Sequence, residues 1–464
     1  MRSWPLLLAL ALGACSLAPR YEQPVPPVAE TFPSYSVTPD GAVKATQLSW
    51  RDFFNDARLE VVIAKALANN RDLAVSVAQV EQARAQYRIA RSAQLPNVVL
   101  EGTGARARQP GDVTATGLPI TAESYDLDLG ISAFELDFWG RVRNLSEAAR
   151  YRYLASVEGQ RAFRLSLIRQ VAIAYMTLRE NGERIALAER TLASRREGLE
   201  IARLRLEAGV TSSADYDQSV SLLTDAQTQL AELRRTEAVA INLLTVLVGG
   251  PVDTSTLPRA LPLAEQQMFD RLDVGLPSDL LVNRPDIMQA EAQLRAANAD
   301  IGAARAAYFP RISLTGATGY ASRELNDLVG SDRQAWSYGA GIVLPLLDWG
   351  ARRGQLDAAR AQRDIAAATY QRTVQGAFQD VADALAGRRY IADQITAQEL
   401  AVAAQERLAE TARLRYANGI AIYLEVLDAE RNLFSAQQSL LQLRGANLRN
   451  QVSLYIALGG GQTD

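Results

Sequence analysis

The chain has 464 residues, no histidine, one cysteine and a formal net charge of −3. Histidine is the commonest general base and transition-metal ligand, and a lone cysteine gives neither an intrachain disulfide nor a thiolate zinc site, so most hydrolytic and metal chemistry is disfavoured. The mildly acidic balance argues against a nucleic-acid partner, because phosphate binding wants a basic face. No Walker-type GxxxxGK occurs, and Gly102-Thr103-Gly104-Ala105 lacks the third glycine and the following helix of a dinucleotide loop. We therefore expect neither an enzyme nor a cofactor.

In chain order, residues 1–14 read as a secretion signal: Arg2, an apolar run from Leu6 to Leu12, then Gly13 and Ala14. The order Leu12-Gly13-Ala14-Cys15 resembles the bacterial lipobox, which implies a covalent lipid on Cys15 and a membrane anchor. Ser16 follows it, and by resemblance to sorted lipoproteins that favours the outer membrane. Over residues 15–47, Pro19, Pro24, Pro26, Pro27, Pro33 and Pro39 fix φ and prevent helix, so a lipid-anchored extended tether is expected.

The remainder is written twice, as a first repeat over 48–274 and a second over 275–464. Asp72 with Leu95-Pro96 returns as Asp286 with Phe309-Pro310; Asp137-Phe138-Trp139-Gly140 returns as Leu347-Asp348-Trp349-Gly350; Arg203-Leu204-Arg205 with Gly209 returns as Arg413-Leu414-Arg415 with Gly419. An internal period of roughly 210 residues points to one architecture made of two halves. Proline-free stretches at 140–208 and 351–417 carry apolar residues at helical spacing and predict helices about 100 Å long. Returning helices are expected over 212–248 and 422–458. The last shows Ile420, Leu427, Phe434, Leu441, Leu448 and Tyr455 at heptad intervals, a seam for helix pairing.

Four strands are expected, at 96–108, 124–138, 310–322 and 335–347. Tyr125, Leu127, Leu129, Ile131 and Ala133 alternate with polar residues such as Asp126 and Asp128, so each strand meets two different media. Trp139, Trp336, Trp349, Tyr320 and Tyr338 fall at or near strand ends, where an aromatic girdle would sit. Four strands cannot close a barrel, and hydrocarbon does not tolerate an open edge. Two chains would pool eight strands and three would pool twelve; only the larger closure leaves a lumen, so a trimer is expected. A soluble four-stranded sandwich is the competing reading, disfavoured by the leader and the long helices.

The stretch from Gly275-Leu276-Pro277-Ser278-Asp279-Leu280 through Asn283-Arg284-Pro285-Asp286 to Tyr308-Phe309-Pro310-Arg311-Ile312, with the repeated Trp-Gly elements and the lipobox, resembles the TolC-like outer membrane factors of the NodT and OprM lipoprotein type. The resemblance implies an α+β membrane protein: a trimeric twelve-stranded β-barrel in the outer membrane continuing into a long periplasmic barrel of coiled-coil helices. It also implies a mixed belt from 48–70, 251–275 and the C-terminus, and a passive exit channel for small molecules. The implied partners are two further copies, a periplasmic adaptor, an inner-membrane pump of the RND type and outer-membrane lipid. The alternatives are a duct for protein export with an ABC transporter and a non-conducting, periplasm-spanning lipoprotein.

By the same resemblance the helical elbows at Gly209 and Gly419 form the periplasmic gate. Leu424 would make an apolar constriction, Asp428, Arg431 and Tyr416 would tie neighbouring helices, and Asp215 and Asp217 would add acceptors. Read from spacing alone, Asp428 and Arg431 are a surface pair worth a few tenths of a kcal/mol.

Overall fold

The computed structural model describes residues 16–32, 41–115, 117–252, 257–275 and 277–462. Residues 1–14, Cys15, Pro33, Pro39 and Leu276 lie outside them. The elements run β1 (Val43–Lys44), α1 (Trp50–Phe53), α2 (Ala57–Asn69), α3 (Arg71–Ser92), β2 (Val98–Gln109), β3 (Ile120–Leu136), α4 (Arg141–Glu207) and α5 (Ser213–Val248). They continue as β4 (Leu272–Asp273), α6 (Pro277–Asn283), α7 (Pro285–Ala306), β5 (Arg311–Ser322), β6 (Gln334–Val343), α8 (Ala351–Ala417) and α9 (Tyr423–Ala457). Helix, two strands, long helix and return helix thus occur twice, and α4 and α8 have 67 residues each. The elements expected from sequence form, with shifted ends. β3 starts at Ile120 because that residue pairs with Gln109 across the hairpin. β6 stops at Val343, short of the expected 347, because Pro345 has no N–H to continue a ladder. No described helix is long and apolar enough to cross a membrane.

Contacts divide the chain into two units, each drawing on both halves of the sequence: one holds residues up to Val25, Gln79–Val157 and Gln289–Gln371, the other Pro26–Ala78, Glu158–Met288 and Arg372 onward. The first unit contains an antiparallel sheet in the order β2-β3-β5-β6. Its register sorts side chains by face. Val98, Leu100, Leu127, Leu129, Ile131, Leu314, Trp336, Tyr338 and Ile342 share one; Glu101, Thr103, Asp126, Asp128 and Ser337, with the small Ala317, Gly319, Gly339 and Gly341, share the other. Ala133 does not belong to the apolar row as expected. A bulge between Ile131 and Phe134 inserts one residue, Ala133 adopts φ 52, and Phe134 takes its place opposite Leu314. Trp336 and Tyr338 stack at 5.5 Å on the apolar face. Trp139 departs from the expected girdle: it stacks on Phe309 at 4.7 Å, and its Nε1 donates to the Pro310 carbonyl at 2.9 Å. Its counterpart in the second half, Trp349, is 91% exposed.

The expected tether is extended but seated. Along α7, Glu291, Arg295, Asn298, Gly302 and Arg305 recur at intervals of four and three, the spacing of a helix-pairing seam, yet the stripe is polar. It receives the N-terminal segment. Tyr21 Oη donates to Glu291 at 3.0 Å, the Arg295 guanidinium lies 4.8 Å above the Tyr21 ring, Asn298 Nδ2 donates to the Pro19 carbonyl at 2.8 Å, and Arg305 donates to the Leu17 carbonyl at 3.1 Å. Burial, and next the Glu291 carboxylate, push the Tyr21 phenol up to about 12. Gly302 leaves the space for this seat, since a Cβ there would stand 2.7 Å from Ala18 N and 2.8 Å from Ala18 Cβ.

The second unit holds the mixed belt. β1 pairs in parallel with β4 (Val43 with Leu272), so a strand begins at Val43, inside the stretch 15–47 expected as tether. Phe53 stacks on Tyr455 at 4.0 Å, and Tyr455 Oη donates to the Leu48 carbonyl at 2.7 Å. Asp56 caps α2 by accepting from Arg58 N at 2.8 Å and also accepts from Tyr175 Oη and Gln266 Nε2, both at 2.7 Å. Arg284 of the Arg-Pro-Asp motif forks onto Asp286 (3.1 and 2.7 Å), reaches Asp380 on α8 at 3.0 Å and donates to the Ala457 carbonyl at the end of α9 at 3.2 Å. Between α4 and α5 the seam is Ala188 and Leu192 against Ala226, Leu230 and Leu233, with Phe434 of α9 packed on it. Of the expected heptad stripe, Leu427, Leu448 and Tyr455 are buried and Phe434 and Leu441 half-buried. Ile420 is not part of it: it precedes α9, in the elbow, and is 69% exposed.

The seat makes one expectation direct. Gly302→Leu should lift the N-terminal segment from α7, seen as faster hydrogen exchange and earlier protease cleavage within residues 16–25; protection equal to wild type would show that the stripe does not hold the segment.

Candidate gate at the helical elbows

Both elbows, in the second unit, use the same backbone device. At the end of α4, Gly209 takes φ +71, its N–H donates to the Leu206 carbonyl at 3.0 Å, and Val210 N–H donates to the Arg205 carbonyl at 2.9 Å. At the end of α8, Gly419 takes φ +70 and donates to the Tyr416 carbonyl at 2.9 Å, while Ile420 donates to the Arg415 carbonyl at 2.8 Å. This paired closure needs a left-handed residue, which glycine adopts without a Cβ penalty.

The helices that leave the elbows start differently. α5 opens with a capping box: Asp215 N donates to Ser212 Oγ at 3.2 Å, while the Asp215 carboxylate accepts from Ser212 N at 3.5 Å and from Thr211 Oγ1 at 2.7 Å. The Thr211 hydroxyl, followed by the Ser212 contacts, holds the Asp215 carboxyl below the usual range, so Asp215 serves as a helix cap here. Ile422 caps α9 with no side-chain hydrogen bond. Asp217 is exposed, with no hydrogen bond or ion pair among the described residues.

Around the second elbow, Leu424 is 38% exposed. Asp428 and Arg431 pair with each other at 2.8 Å along α9, both about half exposed. Tyr416 reaches a different helix. Arg205 of the first elbow donates to its hydroxyl and lies 5.2 Å from its ring centroid, and the ring tilts against Tyr423 at 5.1 Å. Tyr423 sits so close to α4 that a Cβ on Gly198 would stand 2.7 Å from its hydroxyl. Burial, with Glu430 next, raises its phenol pKa.

The ties that join the two hairpins include residues absent from the expected gate. Glu430 bridges Arg195 at 2.9 Å and Arg413 at 3.0 Å, and Arg195 is only 6% exposed. Burial lowers the Arg195 pKa, which the Glu430 charge counters. Arg415 pairs with Glu425 at 3.1 Å. The repeated Arg-Leu-Arg element was the available signal: in the first copy Arg203 pairs with Glu200 at 2.6 Å on its own helix while Arg205 crosses to Tyr416, and in the second both arginines reach carboxylates on α9.

A family model described as outer membrane efflux protein matches residues 62–250 and again 276–460. The chain belongs to this family. It is 41% identical to the probable efflux pump outer membrane protein TtgC of Pseudomonas putida over 98% of this chain and 94% of the relative. It is 38% identical to the outer membrane protein OprJ of Pseudomonas aeruginosa, over 98% and 95%. Its fold is that of the open-state outer membrane channel MtrE of Neisseria gonorrhoeae, with a TM-score of 0.88, 37% identity and coverage of 97% and 99%. This efflux protein therefore works in the outer membrane as a transport channel.

In this efflux protein the Arg195–Glu430–Arg413 bridge couples α4, α8 and α9. Removing one partner of a buried pair leaves an uncompensated charge, at a cost of about 3 kcal/mol. Glu430→Ala should therefore lower the thermal midpoint, and Arg195→Met in the same chain should recover part of the loss; a midpoint unchanged by Glu430→Ala would dismiss the bridge as a stabilising tie.

Proposed function

We propose that three copies of the chain pool their sheets into one twelve-stranded barrel that passively conducts small molecules out of the cell. The observation that carries this reading is the two-faced sheet. β2 and β6 are its outer strands, each paired on one side only, and most of its large apolar side chains lie on one face, Val99, Ile120 and Val343 being the exceptions. Open edges are not tolerated in hydrocarbon, whereas β6 of one copy against β2 of the next leaves none. The apolar face would then meet lipid, and the face with Glu101, Asp126 and Asp128 would line water. The two separate matches of the family model, 62–250 and 276–460, support an internal duplication with its second copy starting near residue 275.

Energy comes from elsewhere, since the sequence holds no nucleotide motif. On this reading an RND-type inner-membrane pump drives the cargo and a periplasmic adaptor joins it to the elbows. Relatives named for efflux of antibiotics and of toluene support small amphiphilic cargo over polypeptides. Cys15 carries the lipid anchor. The elbows gate the periplasmic end: three Leu424 side chains form an apolar ring that opposes wetting, and Asp428 and Arg431, half exposed and paired only along their own helix, are free to bond the neighbouring copy when the tip is shut.

Reconstitution tests both levels. Detergent-resistant trimers that conduct in planar bilayers are expected, and monomers without conductance would dismiss the barrel. Arg431→Ala should raise single-channel conductance; an unchanged value would remove Arg431 and Asp428 from the gate.

A further inference from the structure

The apolar face of the sheet has a measurable height and a definite upper border. On β5 it runs from Ile312, level with Leu136 and Ile342, to Ser322, level with Tyr125 and Gly104. That is about 33 Å along the strand at ~3.3 Å per residue, or about 23 Å of height at a tilt of about 45°, close to the apolar band of about 25 Å that outer-membrane barrels present to lipid. The next two rows of the same face are charged. Arg106 stands opposite Glu123, and Arg108 opposite Thr121.

These side chains are arranged for an anion. Arg106 Nε meets Glu123 Oε1 at 3.0 Å, and Tyr125 Oη donates to Glu123 Oε2 at 3.3 Å, so the carboxylate is itself held from the last apolar row. Arg106 remains 74% exposed against 35% for Glu123, and its other two nitrogens have no protein partner among the described residues. Arg108, one pleat higher, is exposed and has no hydrogen bond or ion pair among the described residues. At the same level the opposite face carries only Ala105 and Ala107 on β2, so the positive charge is confined to the face that bears the apolar band.

We propose that Arg106 and Arg108 bind the phosphates of the phosphorylated glycolipid in the outer leaflet, with Glu123 as the positioning residue that fixes the Arg106 fork. A guanidinium suits phosphate because its planar donors match two phosphate oxygens at once. Acyl chains of such a lipid would lie along the apolar rows below while its phosphates reach the arginines at the border. The assignment rests on the barrel reading, which turns this face outward.

The test uses the purified full-length trimer, titrated with bis-phosphorylated lipid A and read by native mass spectrometry. Wild type should hold the lipid; R106Q/R108Q should bind it roughly twenty-five-fold more weakly, from about a factor of five per arginine. R106K/R108K should keep most of the affinity, and Arg353→Gln on the exposed side of α8 should match wild type. Equal binding by R106Q/R108Q, or equal binding of dephosphorylated lipid A or of phosphatidylglycerol by wild type, overturns the site. Conductance of the same preparations separates the two readings: a wild type that forms no channel sinks the barrel and this site with it, whereas normal conductance with unchanged lipid binding in R106Q/R108Q overturns the site alone.

Discussion

The constraint on which everything else depends is that a four-stranded sheet with one apolar face and two open edges has no stable medium of its own. In water the face with Leu100, Leu129, Trp336 and Tyr338 would stay exposed, and in hydrocarbon the free N–H and C=O groups of β2 and β6 would each cost several kcal/mol. Neither cost can be removed by rearranging one chain, because β2 and β6 are the ends of the strand order. On the barrel reading, association with further copies would satisfy both at once. The bulge at Ala133 bends β3 close to its end, where the chain turns toward α4.

The two halves of the chain are alike in their element order and differ in detail. Gly209 and Gly419 close their helices identically because the left-handed turn admits little variation. The helix starts just beyond the two glycines are unlike. The first hairpin restarts with the Ser212–Asp215 box and Thr211, while the second restarts at Ile422 with no side chain to satisfy the first N–H groups of α9. A capped helix end resists fraying by about 1 kcal/mol relative to an uncapped one. Trp139 and Trp349 diverge in the same sense, one pegged on Phe309 and the Pro310 carbonyl, the other exposed.

Local periodicity carried most of the architecture. The absence of proline over 140–208, the alternation from Tyr125 to Ile131 and the spacing of Leu427, Phe434, Leu441 and Leu448 each report an element through its own residues, and each element is present. Features that depend on distant pairs were not legible. The polar stripe on α7 looks like an exposed helix face until Leu17–Tyr21 is laid on it, and the partner of Arg195 is 235 residues away. Asp428 and Arg431 were legible as an i,i+3 pair and are one, whereas the contact of Tyr416 with Arg205, 211 residues away, was not legible.

The electrostatics of the elbow region follow from what burial does to charge. Arg195 is enclosed, so it keeps one geometry and must be satisfied within the chain by Glu430. Asp217, Asp428 and Arg431 are exposed, so their charges are screened by solvent and little energy holds them where they are. The region thus holds two kinds of charge: fixed ties that join the two hairpins, and weakly held charges whose exchange of partners costs little. The two hairpins are held together by Arg195–Glu430–Arg413 and Arg205–Tyr416, while the exposed set has no such commitment. A rearrangement of the exposed charges in this region therefore costs less than parting the two hairpins, because the largely buried Arg195–Glu430 bridge joins them.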